Sequence, residues 1–147
     1  MFTRIMALLV FLIGFLPGQA FSEDTINHFS IQHALGQAVA KKKVDPRIKL
    51  VFGKKLDPAK MRDLGTIIAN PKTNGFNKSD EEACLWVFVS AVLELQEQAR
   101  IRGADAVVDI VSYYKKNVYA DEQKFECAKG TFVAAVALRG TAVRLVK

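Results

Sequence analysis

Cys84 and Cys127 are the residues of this chain best placed to react, and with each other. Joining them closes a loop of about 42 residues, which would restrict the unfolded chain by roughly 4 kcal/mol on a loop-entropy model. The competing readings are two free buried thiols and a redox couple, although redox couples commonly sit as C-x-x-C and that spacing is absent. His28 and His33 are the only histidines. A separation of five residues puts them poorly on one helical face, so with Glu23 and Asp24 they would make at most a weak metal site. Nucleophilic catalysis requires Ser or Cys beside a His and an orienting acid, and no G-x-S-x-G occurs. The carboxylate pairs Glu81/Glu82 and Glu94/Glu97 are the kind a glycosidase uses, but they fit helix capping and a solvated helix face better. No catalytic residue, cofactor or metal ligand is therefore assigned. One cluster suits binding instead. Tyr113, Tyr114 and Tyr119 beside Lys115 and Lys116 combine aromatic faces with positive charge, a chemistry that grips a sugar or a partner peptide. Its plain alternative is a sheet rim where a strand ends.

These residues sit in a chain whose start reads as an export signal. Arg4 supplies positive charge, Ile5 to Leu16 is a nearly unbroken apolar run, and Pro17 and Gly18 break it. Small residues at Ala20 and Ser22 place cleavage after Ser22, with Ala20 as second choice. The expected organisation is a signal peptide over 1–22 and one domain over 23–147, about 125 residues long. Its expected location is the periplasm, with secretion as second choice. The apolar run is short of the roughly 20 residues of a bilayer span, so no stable membrane span is expected after cleavage. No cysteine follows the signal to carry a lipid, and Arg4 alone does not make a twin-arginine signal.

Half the residues are apolar and 24% are charged, a balance that argues against disorder. Net charge is +6 for the whole chain, with lysines grouped at Lys41–Lys43, Lys54–Lys55 and Lys115–Lys116. A positive surface suits anionic lipid headgroups, an acidic polysaccharide or an acidic protein. Nucleic acid is not an expected partner, because export separates the protein from most of it.

The elements that must hold these groups follow from pattern. Residues 23–29 read as a loose arm. Ser30 caps a helix over Ile31–Ala40, with Ile31, Ala34, Leu35 and Ala38 on one face. Pro46 resets the backbone before a strand over Ile48–Phe52. Asp57–Pro58 opens a turn, and Met61 to Ala69 is a second strand weakened by Gly65. Asn70–Asn77 is dense in turn formers and reads as a surface loop. Ser79-Asp80-Glu81-Glu82 matches a capping box, followed by a helix from Asp80 to Arg102 that stops at Gly103.

That helix carries a stripe of Cys84, Phe88, Ala91, Leu95 and Ala99. Between Ala83 and Leu93, however, only Ser90 is polar, so its first half needs cover on two sides. The N-terminal helix or a second subunit would provide it, and Trp86 and Leu93 lie off the main stripe. After Gly103 the period becomes two, predicting a strand over Ala104–Tyr114 with Asp109 facing solvent, or paired with Arg139 or Arg144 if buried. Lys116–Lys124 is a polar connection, Phe132–Leu138 an apolar strand, and Gly140 a bulge or bend before Thr141–Val146. The sum is an α+β domain: one curved, mostly antiparallel sheet on one long helix, plus a short N-terminal helix.

The junction G-A-D-A-V-V (Gly103–Val108) and the terminal G-T-A-V (Gly140–Val143) resemble YbjQ-like and RcsF-like small α+β domains. Over more of the chain, K-T-N-G-F-N-K-S-D-E-E-A-C (Lys72–Cys84), S-Y-Y-K-K-N (Ser112–Asn117) and E-C-A-K-G-T-F-V-A (Glu126–Ala134) are similar to a family of small exported bacterial proteins. Members of that family often carry the label "excinuclease ATPase subunit". A nucleotide-binding loop needs G-x-x-x-x-G-K-[ST], so that backbone amides cradle the phosphates. Gly75-Phe76-Asn77-Lys78-Ser79 lacks the upstream glycine, so neither nucleotide binding nor DNA repair is expected. RcsF-like proteins are lipid-anchored with two disulfides, and this chain has neither feature. The expected function is a non-enzymatic binding or assembly protein of the envelope. Its partner would be an envelope protein or a glycan, and a homo-oligomer would explain the over-apolar helix. A periplasmic hydrolase with an unrecognised site and a metal-binding carrier remain as alternatives.

Overall fold

A computed structural model describes residues 24–147. The expected signal over 1–22, its cleavage point and Glu23 lie outside the described residues. The chain runs β1 (Thr25–Ser30), α1 (Ile31–Leu35), α2 (Ala38–Lys43), β2 (Lys49–Phe52), β3 (Met61–Ala69) and β4 (Lys72–Asn74). There follow α3 (Asp80–Ile101), β5 (Ala106–Ser112), β6 (Lys124–Lys129), β7 (Val133–Ala135) and β8 (Leu138–Leu145). The class is α+β, as expected. The strands divide between two four-stranded sheets, ordered β1-β6-β7-β4 and β2-β5-β8-β3. Every pairing is antiparallel except that of β2 with β5.

α3 is built as its sequence says. The Ser79 hydroxyl accepts from the Glu82 amide at 3.1 Å, and three acids fill the first turn where the helix dipole is positive. At the other end Gly103 takes φ +72°. Its N–H then reaches the Arg100 carbonyl and that of Ala104 reaches Ala99, which satisfies carbonyls the helix leaves open. The whole stripe of Cys84, Phe88, Ala91, Leu95 and Ala99 is fully buried. Phe88 stacks on Phe125 of β6 at 4.0 Å between centroids and meets Phe52 of β2 at 5.9 Å. The over-apolar first half is covered by both sheets and by α1 except at Trp86, which stays 49% exposed. The disulfide joins Cys84 of α3 to Cys127 of β6, between fully buried residues.

Several expectations change. Residues 25–30 are not a loose arm: they form β1, because Asn27 and Phe29 turn inward and the backbone pairs along β6. The N-terminal helix is interrupted. Gly36 closes α1, Gln37 is extended, and α2 begins at Ala38, so Ala40 rather than Ala38 is buried. Within the Asn70–Asn77 loop, Lys72–Asn74 find a partner in β7 and become β4. β6 lies where the sequence pattern predicts no strand. The run Phe132–Leu138 is two strands, since the chain leaves the first sheet after Ala135 and joins the second at Leu138.

The period-two reading of β5 fails at one residue. The Asp109 side chain is half-buried at an open cleft and pairs with neither Arg139 nor Arg144, but its backbone departs from strand geometry. It takes φ 52° at a bulge, where its N–H donates to the Lys54 carbonyl at 3.1 Å. The bulge turns Val107 and Ile110 toward α3, while Ala106 and Val108 join Val143, Val51, Leu56 and Met61 on the far side. β5 is therefore buried on both faces. Gly140 is neither bulge nor bend but a regular β8 residue opposite Ile67, where a Cβ would meet Val107 Cγ1 at 2.7 Å.

Candidate partner-binding site

The end of β5 and the start of β1 bring the aromatic–basic segment to the first sheet. After Ser112 the chain makes a tight turn in which Lys115 and Lys116 both adopt left-handed backbone, φ 49° and 64°. That conformation costs non-glycine residues about 1–2 kcal/mol each. The turn is held by N–H groups of Lys116 and Asn117 donating to the carbonyls of Tyr113 and Tyr114, at 3.1 and 3.0 Å. It is closed by Tyr119 pairing back to Ser112. Its effect is to set Lys115 Nζ 5.4 Å from the centre of the Tyr114 ring, within cation–π range.

Tyr114 and Lys115 line an open cleft of about 280 Å³ with Asn117, Asp24, Ile26 and Glu126. Asp24 precedes β1 and accepts a hydrogen bond from the Tyr114 hydroxyl. This bond, with partial burial and the Asp24 charge behind it, pushes the Tyr114 phenol up to about 12, so it remains a neutral donor. His28 faces Glu126 directly across the β1–β6 ladder, and His28 Nε2 lies 3.2 Å from Glu126 Oε1. The His28 ring packs on Tyr119 with centroids 4.5 Å apart. Burial, helped by the charges of Asp121 and Glu126, raises the Tyr119 phenol. Asp121 itself is held below the usual carboxylate range by the backbone N–H groups of Gln123 and Lys124.

The structure therefore divides the five-residue cluster read from sequence. Tyr114 and Lys115 line the cleft, and Tyr119 stands beside it against His28. Tyr113 does not line it; its ring lies under the Arg139 guanidinium at 4.6 Å. Lys116 is exposed and does not line it either. Asp24, Ile26, Asn117 and Glu126 also line the cleft without any sequence signal for it: the first two lie in the segment that reads as an arm, and Glu126 arrives through the β1–β6 pairing. The β-branched pair Thr25-Ile26 was the one strand signal available, since Asn27-His28-Phe29-Ser30 shows no alternation.

The cleft offers an aromatic face, one ammonium, one amide and two carboxylates around a single apolar residue, Ile26. That inventory suits a hydroxyl-rich or peptide ligand lying across the surface. His28 and His33 do not form a pair. His33 sits 3.5 Å from Glu81 at the start of α3, whereas His28 belongs to the β1–β6 ladder. Among the described residues no three His, Cys, Asp or Glu side chains stand together as a metal-binding group. No described helix is long and apolar enough to cross a membrane. No family model, curated protein or solved structure matches this chain.

Proposed function

We propose that this is an exported, non-enzymatic binding or assembly protein of the bacterial periplasm. It meets an envelope protein or a glycan at the Tyr114–Lys115 cleft. The observation that carries the reading is the fully buried Cys84–Cys127 bridge, a bond that persists in an oxidising compartment and not in a reducing cytosol. The cleft adds to it. Tyr114 is engaged by Asp24, and Glu126 by His28, so the polar groups are arranged as a fixed surface. The Lys115 ammonium stands exposed at its margin.

Fractionation of cells expressing the full chain is expected to recover a processed, oxidised form from the periplasm. A photo-crosslinking residue at position 117 is expected to trap a discrete envelope component, and Tyr114→Ala with Lys115→Glu to abolish the adduct. An unprocessed cytosolic chain would sink the location. An adduct unaffected by the two substitutions would remove the cleft from the reading.

A further inference from the structure

Trp86, on α3 where α2 lies alongside, is 49% exposed, and the fold gives it no task. It borders a groove of about 290 Å³ walled by Ala38, Val39, Leu85 and Val89, with Gln37 and Glu82 also lining it. α2 runs beside α3 in the same direction. His33 at the end of α1 stands near Glu81, Val39 and Val89 share the groove, and Asp45 beyond α2 bonds to Gln96. Charge is consequently ordered along the shared face. The acids Asp80, Glu81 and Glu82 mark one end and Lys41, Lys42 and Lys43 the other, with Trp86 and its groove between them.

The remaining charges of this face are occupied or turned away. Asp80 pairs with Lys129, Glu81 with His33, and Glu97 with Arg100. Glu94 shares its side of the helix with Gln98, which reaches toward β3. Among the described residues, Glu82 and the three lysines have no ion-pair partner. Lys42 and Lys43 lie three and four residues beyond Val39, on the same side of α2.

We propose that this face docks a second copy of the chain about a two-fold axis, each Trp86 entering the groove of the other. An isologous contact must be complementary to itself. A face that is acidic at one end, apolar in the middle and basic at the other meets that condition when its copy is turned end for end. Glu82 of one copy then meets Lys42 and Lys43 of the other, twice over. Half-buried tryptophan beside an apolar groove is the kind of anchor that dominates small interfaces. The inference rests on the assembly part of the proposed function and supplies its partner.

Sedimentation equilibrium of the processed protein tests it. The wild type is expected to show a reversible dimer, and Trp86→Ala to weaken association roughly 30-fold, as truncating such an anchor does. The charge exchange is more discriminating. Glu82→Lys alone, and Lys42→Glu with Lys43→Glu, are each expected to be monomeric, because like charges then meet at both ends. Mixed together they are expected to dimerise, because every end contact in the mixed pair is opposite in sign. A concentration-independent wild-type monomer, or a mixture no better associated than its components, overturns the proposal. A monomer that still crosslinks through position 117 would end the self-docking and leave the proposed function standing. A dimer found unprocessed in the cytosol would do the reverse.

Discussion

Both sheets pack apolar side chains on α3, but the sheet of β1, β6, β7 and β4 adds a disulfide, whereas the sheet of β2, β5, β8 and β3 adds side-chain hydrogen bonds from the helix. On the first, Cys127 bonds Cys84 and Phe125 stacks on Phe88, one turn along the helix. On the second, the buried Gln96 accepts from the Asp45 N–H at 2.9 Å. It also donates to the carbonyls of Asp45 and Ile48, pinning the approach to β2. Gln98 and Arg102 then donate to the carbonyls of Ile68 and Leu64 on β3. β3 is a nine-residue edge strand, and these two side chains blunt a row of groups that would otherwise invite another strand. One helix thus holds two sheets by means that fail under different conditions. Reductant attacks the first attachment and loss of a polar side chain the second.

The largest effect is expected from the bridge. Reduction, or Cys84→Ser, should cost about 4 kcal/mol and lower Tm by roughly 15 °C. Amide exchange should rise in β6 and β1 before β8, and a thermal melt unchanged by reductant would break the contrast. Next comes Gln96→Leu, which leaves the Asp45 N–H and the Ile48 carbonyl without their Gln96 partner for about 1–3 kcal/mol. Exchange should then rise over residues 45–52 and leave β6 protected. Equal loosening of both sheets would show that the helix transmits damage and that the two attachments are not separate.

Tyr114 gives a smaller, pH-dependent handle on the first sheet. Its folded phenol is raised to about 12 by Asp24, so its contribution is full below the ordinary tyrosine value near 10 and is lost as pH climbs from there. Ultraviolet titration of the phenolate band should show Tyr114 and Tyr119 both titrating late, with Asp24→Asn moving only Tyr114 back. The smallest effect is expected at Asp45. Hydrogen bonds from the Arg47 side chain and backbone, and from Arg100, hold its carboxyl well below the usual range. Its stabilisation is present above about pH 4 and fades as pH falls toward the lower folded value. Asp45→Asn should flatten the acid limb of a urea-midpoint profile, leaving only the part owed to groups such as Asp121.

What could be read in advance was local. The Ser79 cap, the Gly103 stop, the buried stripe of α3 and the Cys84–Cys127 pairing follow from residue type and spacing within one element or from a single pair of thiols. What could not be read depended on neighbours far along the chain. Lys72–Asn74 are a strand only because β7 lies beside them, and β1 exists because β6 does. Asp109 hid best of all: one left-handed residue exchanges the two faces of β5, and an aspartate between valine and isoleucine gives no warning of it. The candidate cleft was half legible for the same reason. Tyr114 and Lys115 announced themselves as a cluster, while Asp24 and Glu126 reach it only through long-range pairing.

The ladder between β1 and β6 joins residues nearly a hundred positions apart, 98 in the case of His28 and Glu126. Long-range pairing of this kind closes slowly, because the chain entropy it consumes is returned only at the end. Until Lys124–Lys129 is in place, the leading segment has nothing to zip against. On the export route proposed above, a polypeptide so arranged would stay threadable during passage and lock only after Lys124–Lys129 has emerged. During that interval the seam along β6 that β1 will occupy is open to pairing with another extended segment.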